Sequence, residues 1–174
     1  MRATLVSFLV FGLLLFGSIV QACAYYTVLP DRVASHFNAA GVPDGWQSKE
    51  KFFLTHLGLV MGMAFVFLPL VYLGVRFGPA ALIGMPHKGY WLAEPRQHET
   101  RVSLGSYGVW VINLSLGLIA AQMEAVYRAN VGLVPNLGWW LAGCLAAFVL
   151  AMAIWLVSFY RRFGKPADEA SLDP

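Results

Sequence analysis

Four side chains of the chain could supply nitrogen and oxygen ligands to a metal ion: His36, Asp44, His56 and Glu124. Imidazole and carboxylate groups bind zinc and other transition metals. Their spacing matches no established motif, and a histidine beside an ordered loop more often hydrogen-bonds a backbone carbonyl. The sequence has no Ser–His–Asp set, phosphate-cradling loop or nucleotide fingerprint. A metal-site enzyme is therefore an alternative, and the leading prediction is a non-enzymatic protein without cofactor or bound metal.

Four long segments without a charged residue must position these side chains. They lie between Arg2 and Asp31, Lys51 and Arg76, Arg101 and Glu124, and Arg128 and Arg161, and each has 22 residues or more. At a rise of about 1.5 Å per residue, about 20 residues cross a bilayer core of about 30 Å. The chain is 59% hydrophobic and 12% charged, whereas soluble domains are about 25% charged. The segments therefore read as membrane-spanning helices.

We predict an all-α membrane protein with four transmembrane helices and an ordered 25-residue extracytoplasmic loop between helices 1 and 2. The 174 residues should form a single integral membrane domain, 1–174, because no soluble segment is long enough for a second core. The first apolar run exceeds the usual signal-peptide core of about 7–15 residues, so we expect a retained helix. The predicted segments are helices at about 4–25, 53–75, 104–127 and 138–160, an outer loop at 26–52 and an inner loop at 77–103.

The basic residues are divided unevenly between the two sides of these helices. One side has eight of them, namely Arg2, Arg76, Lys88, Arg96, Arg101, Arg161, Arg162 and Lys165. The other side has four, namely Arg32, Lys49, Lys51 and Arg128. Lysine and arginine accumulate on the cytoplasmic side of a membrane. We therefore predict a multi-pass protein of the inner (plasma) membrane with cytoplasmic N- and C-termini.

Aromatic residues near the predicted helix ends agree with this arrangement, because tryptophan and tyrosine settle at the headgroup level. The predicted outer belt consists of Tyr25, Tyr26, Tyr127, Trp139 and Trp140. Near the other interface, the segment around Tyr90 and Trp91 is expected to anchor a surface helix. Its neighbours Arg96, His98 and Arg101 would face lipid phosphates, or the helix is simply solvated.

Few polar side chains lie within the predicted helices. Asn113 and Ser115 are expected to point inward and hydrogen-bond a neighbouring helix, and Pro69 is expected to kink the second helix. Glu124 and Arg128, at positions i and i+4, are predicted to form an ion pair near the outer end. The absence of charged residues from the bilayer midplane argues against a proton pump or ion-coupled transporter.

The outer loop has the composition of a folded cap. Pro43-Asp44-Gly45 is a turn signature, and Gly41 can take left-handed backbone angles. Phe37 and Trp46 supply apolar area that a flexible linker does not need. Ser48 is the predicted N-cap of the second helix. We expect this segment to fold onto the outer ends of the helices.

The loop also has a recognisable pattern, formed by Leu29-Pro30, Val33, His36-Phe37-Asn38, Gly41, Pro43-Asp44, Trp46 and Lys49. This pattern closely resembles the domain of unknown function 1648 (DUF1648) family of bacterial membrane proteins, which includes the SdpI immunity and signal proteins. Ala34 stands where that pattern has proline. The segment Lys88–Arg96 is similar to the inner-loop signature of stand-alone members, with Glu94-Pro95 transposed.

The resemblance implies a protein whose outer loop binds a ligand or partner, as in SdpI-like sensing or immunity. By analogy, the residues of the recognition surface would be His36, Phe37, Asn38, Pro43, Asp44 and Trp46. His56, Glu124 and Arg128 would give polar support. The expected partners are the lipid bilayer and a peptide or protein at the outer face, and no nucleic acid. A homo- or hetero-oligomer stays open, as does the alternative of a structural subunit of a membrane complex.

Overall fold

The computed structural model describes residues 2–133 and 137–164. Its regular elements are α1 (Arg2–Tyr26), β1 (Arg32–Phe37), β2 (Pro43–Ser48), α2 (Lys49–Gly62), α3 (Leu68–Phe77), α4 (Lys88–Trp91), α5 (Gln97–Asn130) and α6 (Gly138–Phe163). A π-helical turn, Met63–Phe67, joins α2 to α3. Four helices in the described ranges are long and apolar enough to cross a membrane: α1, the continuous helix Lys49–Phe77, α5 and α6. The predicted fold class with four spans is confirmed.

Helix α5 is the central element of the bundle. The helices α1, α3 and α6 all pack against it. The spans differ in the buried fraction of one apolar 18-residue stretch in each. This fraction is 39% for α5, 17% for α1 and 0% for α6. Leu104, Val109, Ile112 and Leu116 lie on its buried side at helical spacing. The position of every other span therefore depends on α5.

Polar side chains join α1 to α5 inside the apolar region. Asn113 Nδ2 donates to the carbonyl oxygen of Ser7 at 2.9 Å, and Ser106 Oγ lies 3.5 Å from Ser7 Oγ. A buried polar group in lipid needs a partner within the protein, so the prediction that Asn113 bonds a neighbouring helix is confirmed. The same prediction is wrong for Ser115, whose hydroxyl donates to Val111 O of its own helix at 3.0 Å.

The π-helical turn lies directly before Pro69. Proline has no backbone N–H, so it cannot continue the α-helical hydrogen bonds at its own position. The Leu68 N–H donates to Met63 O, five residues back, as expected for a π turn. The sequence predicted a kink at Pro69, and the structure shows the irregularity as a wider helical turn that begins at Met63.

Arg101 closes the end of the bundle opposite the two strands. Its Nη1 atom donates to Val75 O at 2.8 Å and to Gly78 O at 2.9 Å. The last carbonyls of a helix have no partner within the helix, so the guanidinium completes the C-terminal end of α3. Arg101 is only 9% exposed. The prediction that it faces lipid phosphates is therefore wrong.

The loop between α1 and α2 is an antiparallel β-hairpin, which we call the hairpin, β1 with β2. Ala34 pairs with Trp46 and Phe37 with Pro43, and the register shifts on either side of His36. The sequence predicted an ordered cap without predicting strands. The predicted turn at Pro43-Asp44-Gly45 is wrong, because these residues begin β2. The predicted N-cap is confirmed, since Ser48 Oγ accepts the Lys51 N–H at 3.3 Å.

We predict that Gly108→Ala weakens the bundle whereas Gly117→Ala, on the same helix, does not. A Cβ atom at Gly108 would lie 2.6 Å from Val71 Cγ1, and a Cβ atom at Gly117 would meet nothing within 4 Å. Overpacking costs about 1–3 kcal/mol, whereas alanine is favoured over glycine in a helix by about 1 kcal/mol. Thermal unfolding in detergent should therefore give a lower midpoint for Gly108→Ala. Equal midpoints would show that α3 and α5 are not in close contact here.

Candidate functional site

Asn38 builds the turn of the hairpin. Its Oδ1 atom accepts the N–H groups of Ala40 at 2.9 Å and Val42 at 3.1 Å, and its own N–H donates to Val42 O at 2.9 Å. Gly41 takes φ +75°, a conformation that favours glycine. Asn38 was predicted to belong to the recognition surface, but its amide oxygen is used to stabilise the turn of the hairpin.

His36 and Asp44 form an exposed pair across the two strands. His36 Nδ1 lies 2.5 Å from Asp44 Oδ1, and the two side chains are 74% and 43% exposed. The carboxylate fixes the orientation of the ring and leaves Nε2 for another partner. Gly45 faces His36 so closely that a Cβ atom there would lie 2.9 Å from His36 Cβ. The strand pairing therefore fixes the position of the His36 Cβ atom, and Asp44 orients the ring beyond it.

Trp46 adds an aromatic surface beside this pair. Trp46 is 49% exposed, and the Arg32 guanidinium carbon lies 5.5 Å from its ring centre. A guanidinium at this distance is attracted to the face of an indole. The exposed side of the hairpin thus combines an imidazole, a carboxylate, an indole and a guanidinium. Tryptophan and arginine are the residue types that most often dominate protein–protein binding energy.

The other side of the hairpin is buried against the helices. The buried cluster there consists of Leu29, Val33, Phe52, Val126 and Tyr127. Phe37 packs against this cluster, and Pro43 pairs with Phe37 in the sheet. Two of the six predicted recognition residues therefore belong to the attachment of the hairpin or its register.

Tyr127 is the centre of the cluster. Its ring stacks on Tyr25 with centres 4.5 Å apart and meets the ring of Phe52 edge-on at 5.5 Å. Tyr127 is 0% exposed, so its predicted place in an interfacial aromatic belt is wrong. The hydroxyl lies 2.7 Å from His56 Nδ1, and His56 is itself buried. The predicted supporting residue His56 thus acts inside the bundle, beneath the hairpin.

Asn130 attaches the hairpin to α5 through the backbone of β1. The Ala34 N–H donates to Asn130 Oδ1 at 2.7 Å, and Asn130 Nδ2 donates to Ala34 O at 2.9 Å. A second bond from Nδ2 to Val126 O at 2.9 Å fixes the amide on its own helix. The Asn130 side-chain amide thus makes the two hydrogen bonds to β1 that a neighbouring strand would otherwise make. Asn130 was not identified from the sequence. The available signal was Ala34, which replaces the proline of the family pattern, because a proline has no N–H to donate to Asn130.

The Glu124 carboxylate accepts hydrogen bonds from three side chains at the hairpin end of the bundle. The donors are Gln21 Nε2 at 2.9 Å, Tyr25 Oη at 2.8 Å and Arg128 Nε at 2.6 Å. The predicted ion pair between Glu124 and Arg128 is confirmed. Gln21 and Tyr25 are on α1, so the carboxylate also joins α1 to α5. These two partners were not among the predicted site residues.

The side chains considered as metal ligands do not form one group. His36 pairs with Asp44, His56 with Tyr127, and Glu124 with its three donors. Within residues 2–133 and 137–164, no three His, Cys, Asp or Glu side chains are placed to hold one metal ion. The geometry therefore gives no support to the metal-site alternative.

The fold and this site define a multi-pass membrane protein in which a β-hairpin caps one end of a helical bundle. Residues 13–61 match the family model described as Domain of unknown function (DUF1648). The match covers the second half of α1, the hairpin and most of α2, and it confirms the resemblance to the DUF1648 family that the loop pattern predicted. Comparison with curated proteins and with solved structures gave no match.

We predict that Asn130→Ala loosens the hairpin from the bundle. Two bonds to Ala34 would be lost, each with a net contribution of about 1 kcal/mol, so the Ala34 amide should exchange hydrogen roughly 30-fold faster. Hydrogen–deuterium exchange of β1 in detergent measures this.

The matched control for Asn130→Ala is Asn38→Ala. It removes the acceptor of the Ala40 and Val42 N–H groups, so faster exchange is expected at the turn and not at Ala34. If Asn130→Ala left the exchange at Ala34 unchanged, the amide would not be the attachment point.

Proposed function

We propose that this chain is a non-enzymatic protein of the bacterial inner membrane that recognises a peptide or protein partner through the exposed side of the hairpin. In this proposal the hairpin faces outward and both termini lie in the cytoplasm. The resemblance of the loop to a family that includes SdpI suggests the biological setting, which is sensing of, or immunity to, a secreted peptide. That setting rests on family analogy.

One observation supports this proposal above the others. The hairpin is attached through its buried residues and through Asn130, while His36, Asp44 and Trp46 stay on its surface. A surface that is already ordered loses less conformational entropy when a partner binds. Because the hairpin is already attached, little conformational entropy is lost when a partner binds. Its aromatic and charged side chains stay available for that partner.

The charge distribution supports the proposed orientation. At the end opposite the hairpin, the described basic residues are Arg2, Arg76, Lys88, Arg96, Arg101, Arg161 and Arg162. The hairpin end has Arg32, Lys49, Lys51 and Arg128. Because basic residues are retained on the cytoplasmic side, the hairpin should face the outside of the cell.

We predict that a cysteine at Ala39 is labelled in intact cells by a membrane-impermeant maleimide, whereas a cysteine at Glu94 is labelled only after permeabilisation. Both residues are exposed, one in the hairpin turn and one at the opposite end. The background must lack the free Cys23 and Cys144. If the cysteine at Glu94 were labelled in intact cells and the cysteine at Ala39 only after permeabilisation, the hairpin would lie in the cytoplasm.

We also predict that a photocrosslinking amino acid in place of Trp46 forms a discrete adduct in living cells. The adduct should be lost when His36→Ala and Asp44→Ala are added, because these residues form the neighbouring polar surface. The matched control position is Trp139, which is 92% exposed on α6. Protein levels in the membrane fraction must be equal for all variants.

The crosslinks also separate the proposal from its alternative. An adduct from Trp46 that survives the His36 and Asp44 substitutions would contradict recognition by this surface. An adduct from Trp139 alone would instead favour a structural subunit that contacts a larger complex through α6. The span of α6 supports that alternative, because its most apolar 18-residue stretch contains no buried residue.

A further inference from the structure

An apolar cleft separates α3 from α6 at the end of the bundle opposite the hairpin. Its floor is α5, and its volume is about 750 Å³. The residues that define its walls include Gly74, Val75, Leu82, Tyr107, Trp155 and Phe159. Sites for small molecules typically have volumes of about 300–1,000 Å³. The cleft is therefore large enough for a ligand and has no part in the site on the hairpin.

The interior of the cleft suits a hydrocarbon chain. None of the described residues that line it is charged. Two polar groups of its aromatic wall already have hydrogen-bond partners, since Tyr107 Oη lies 3.0 Å from Ser158 Oγ and Trp155 Nε1 donates to Tyr107 O at 3.0 Å. A polar ligand would lose its hydrogen bonds to water on entering and would regain few of them.

A cationic group, the Lys88 ammonium, lies beside one wall of the same cleft. Lys88 Nζ donates to Ala81 O at 3.3 Å, and Ala81 immediately precedes Leu82 of the cleft wall. Arg76, in the last turn of α3, does not line the cleft, and its Nη2 atom lies 3.3 Å from His98 Nε2 instead. The wall formed by α3 runs from Leu70 to Gly78, a rise of about 12 Å to the helix end. The cleft thus reaches from the headgroup level into the apolar layer.

We propose that this cleft binds an anionic phospholipid, with an acyl chain between α3 and α6 and the phosphate at Lys88. Basic pockets between transmembrane helices bind anionic headgroups in this way. Charge complementarity favours a lipid over a second copy of the chain. A second copy in the same orientation would bring its own basic end against this one, where the described acidic residues are only Glu94 and Glu99.

Gly74→Leu tests the acyl-chain part of the site. A Cβ atom at Gly74 meets nothing within 4 Å, so the leucine fills the cleft without displacing a helix. Gly62→Leu is the control, because Gly62 lies in the same span, is equally open and does not line the cleft. Gly84→Leu fills the cleft from another wall, where a Cβ atom is also unobstructed.

Lys88→Gln tests the headgroup part, with Lys51→Gln at the hairpin end as its control. The full chain is delipidated in detergent and mixed with phosphatidylglycerol or with phosphatidylcholine of the same acyl chains, and native mass spectrometry counts the bound lipid. We expect tighter binding of phosphatidylglycerol. Lys88→Gln should weaken it about fivefold, which corresponds to about 1 kcal/mol per basic residue near an anionic surface.

The two cleft-filling variants should reduce binding of both lipids, whereas both control variants should bind as the parent chain does. Equal binding of the two lipids, unchanged by Lys88→Gln, would overturn the anionic preference. Unchanged binding in Gly74→Leu and Gly84→Leu would overturn the cleft as the site. A dimer that these two variants dissociate would show instead that a second copy occupies it. None of these results depends on the orientation or the partner proposed for the hairpin.

Discussion

The attachment of the hairpin to α5 is the contact on which the hairpin end depends. A two-stranded sheet is marginally stable by itself, and its outer edges leave N–H and C=O groups without partners. Here Asn130 bonds both backbone groups of Ala34, and Tyr127 supplies the ring beneath Val33 and Phe52. One polar and one aromatic residue, three positions apart on a helix, thus convert a connecting segment into a fixed surface.

The same helix makes polar contacts at three depths of the bundle. Arg101 completes the end of α3, Asn113 bonds α1 near the middle, and Asn130 holds β1. Lipid provides little hydrophobic drive for helix association, so packing and specific hydrogen bonds carry more weight there than in a soluble bundle. In contrast, α6 packs mainly against α5 through its aromatic end. This arrangement leaves a cleft between α6 and α3.

The spans could be predicted because a single property, the absence of charge over 22 residues or more, determines them. The hairpin could not, because neither strand has a run of β-branched residues and β2 begins with Pro43-Asp44-Gly45, which resembles a turn. Its bend depends on Asn38 Oδ1 and Gly41 instead. The attachment was also missed, because Asn130 and Ala34 are 96 positions apart. A single sequence contains no local pattern that links them.

The family pattern of the loop therefore mixes two kinds of residue. Val33 and Phe37 pack against the bundle, Asn38 and Gly41 shape the turn, and none of these four needs a partner outside the chain to explain it. Three residues differ from these, because their side chains remain exposed: His36, Asp44 and Trp46. The hairpin that bears them is stabilised by its buried contacts with the helices. A match to the family model thus reports mainly how the hairpin is built. In the proposed function, the choice of partner lies with these few exposed positions, because substitutions there change the surface of the hairpin without weakening its attachment to the bundle.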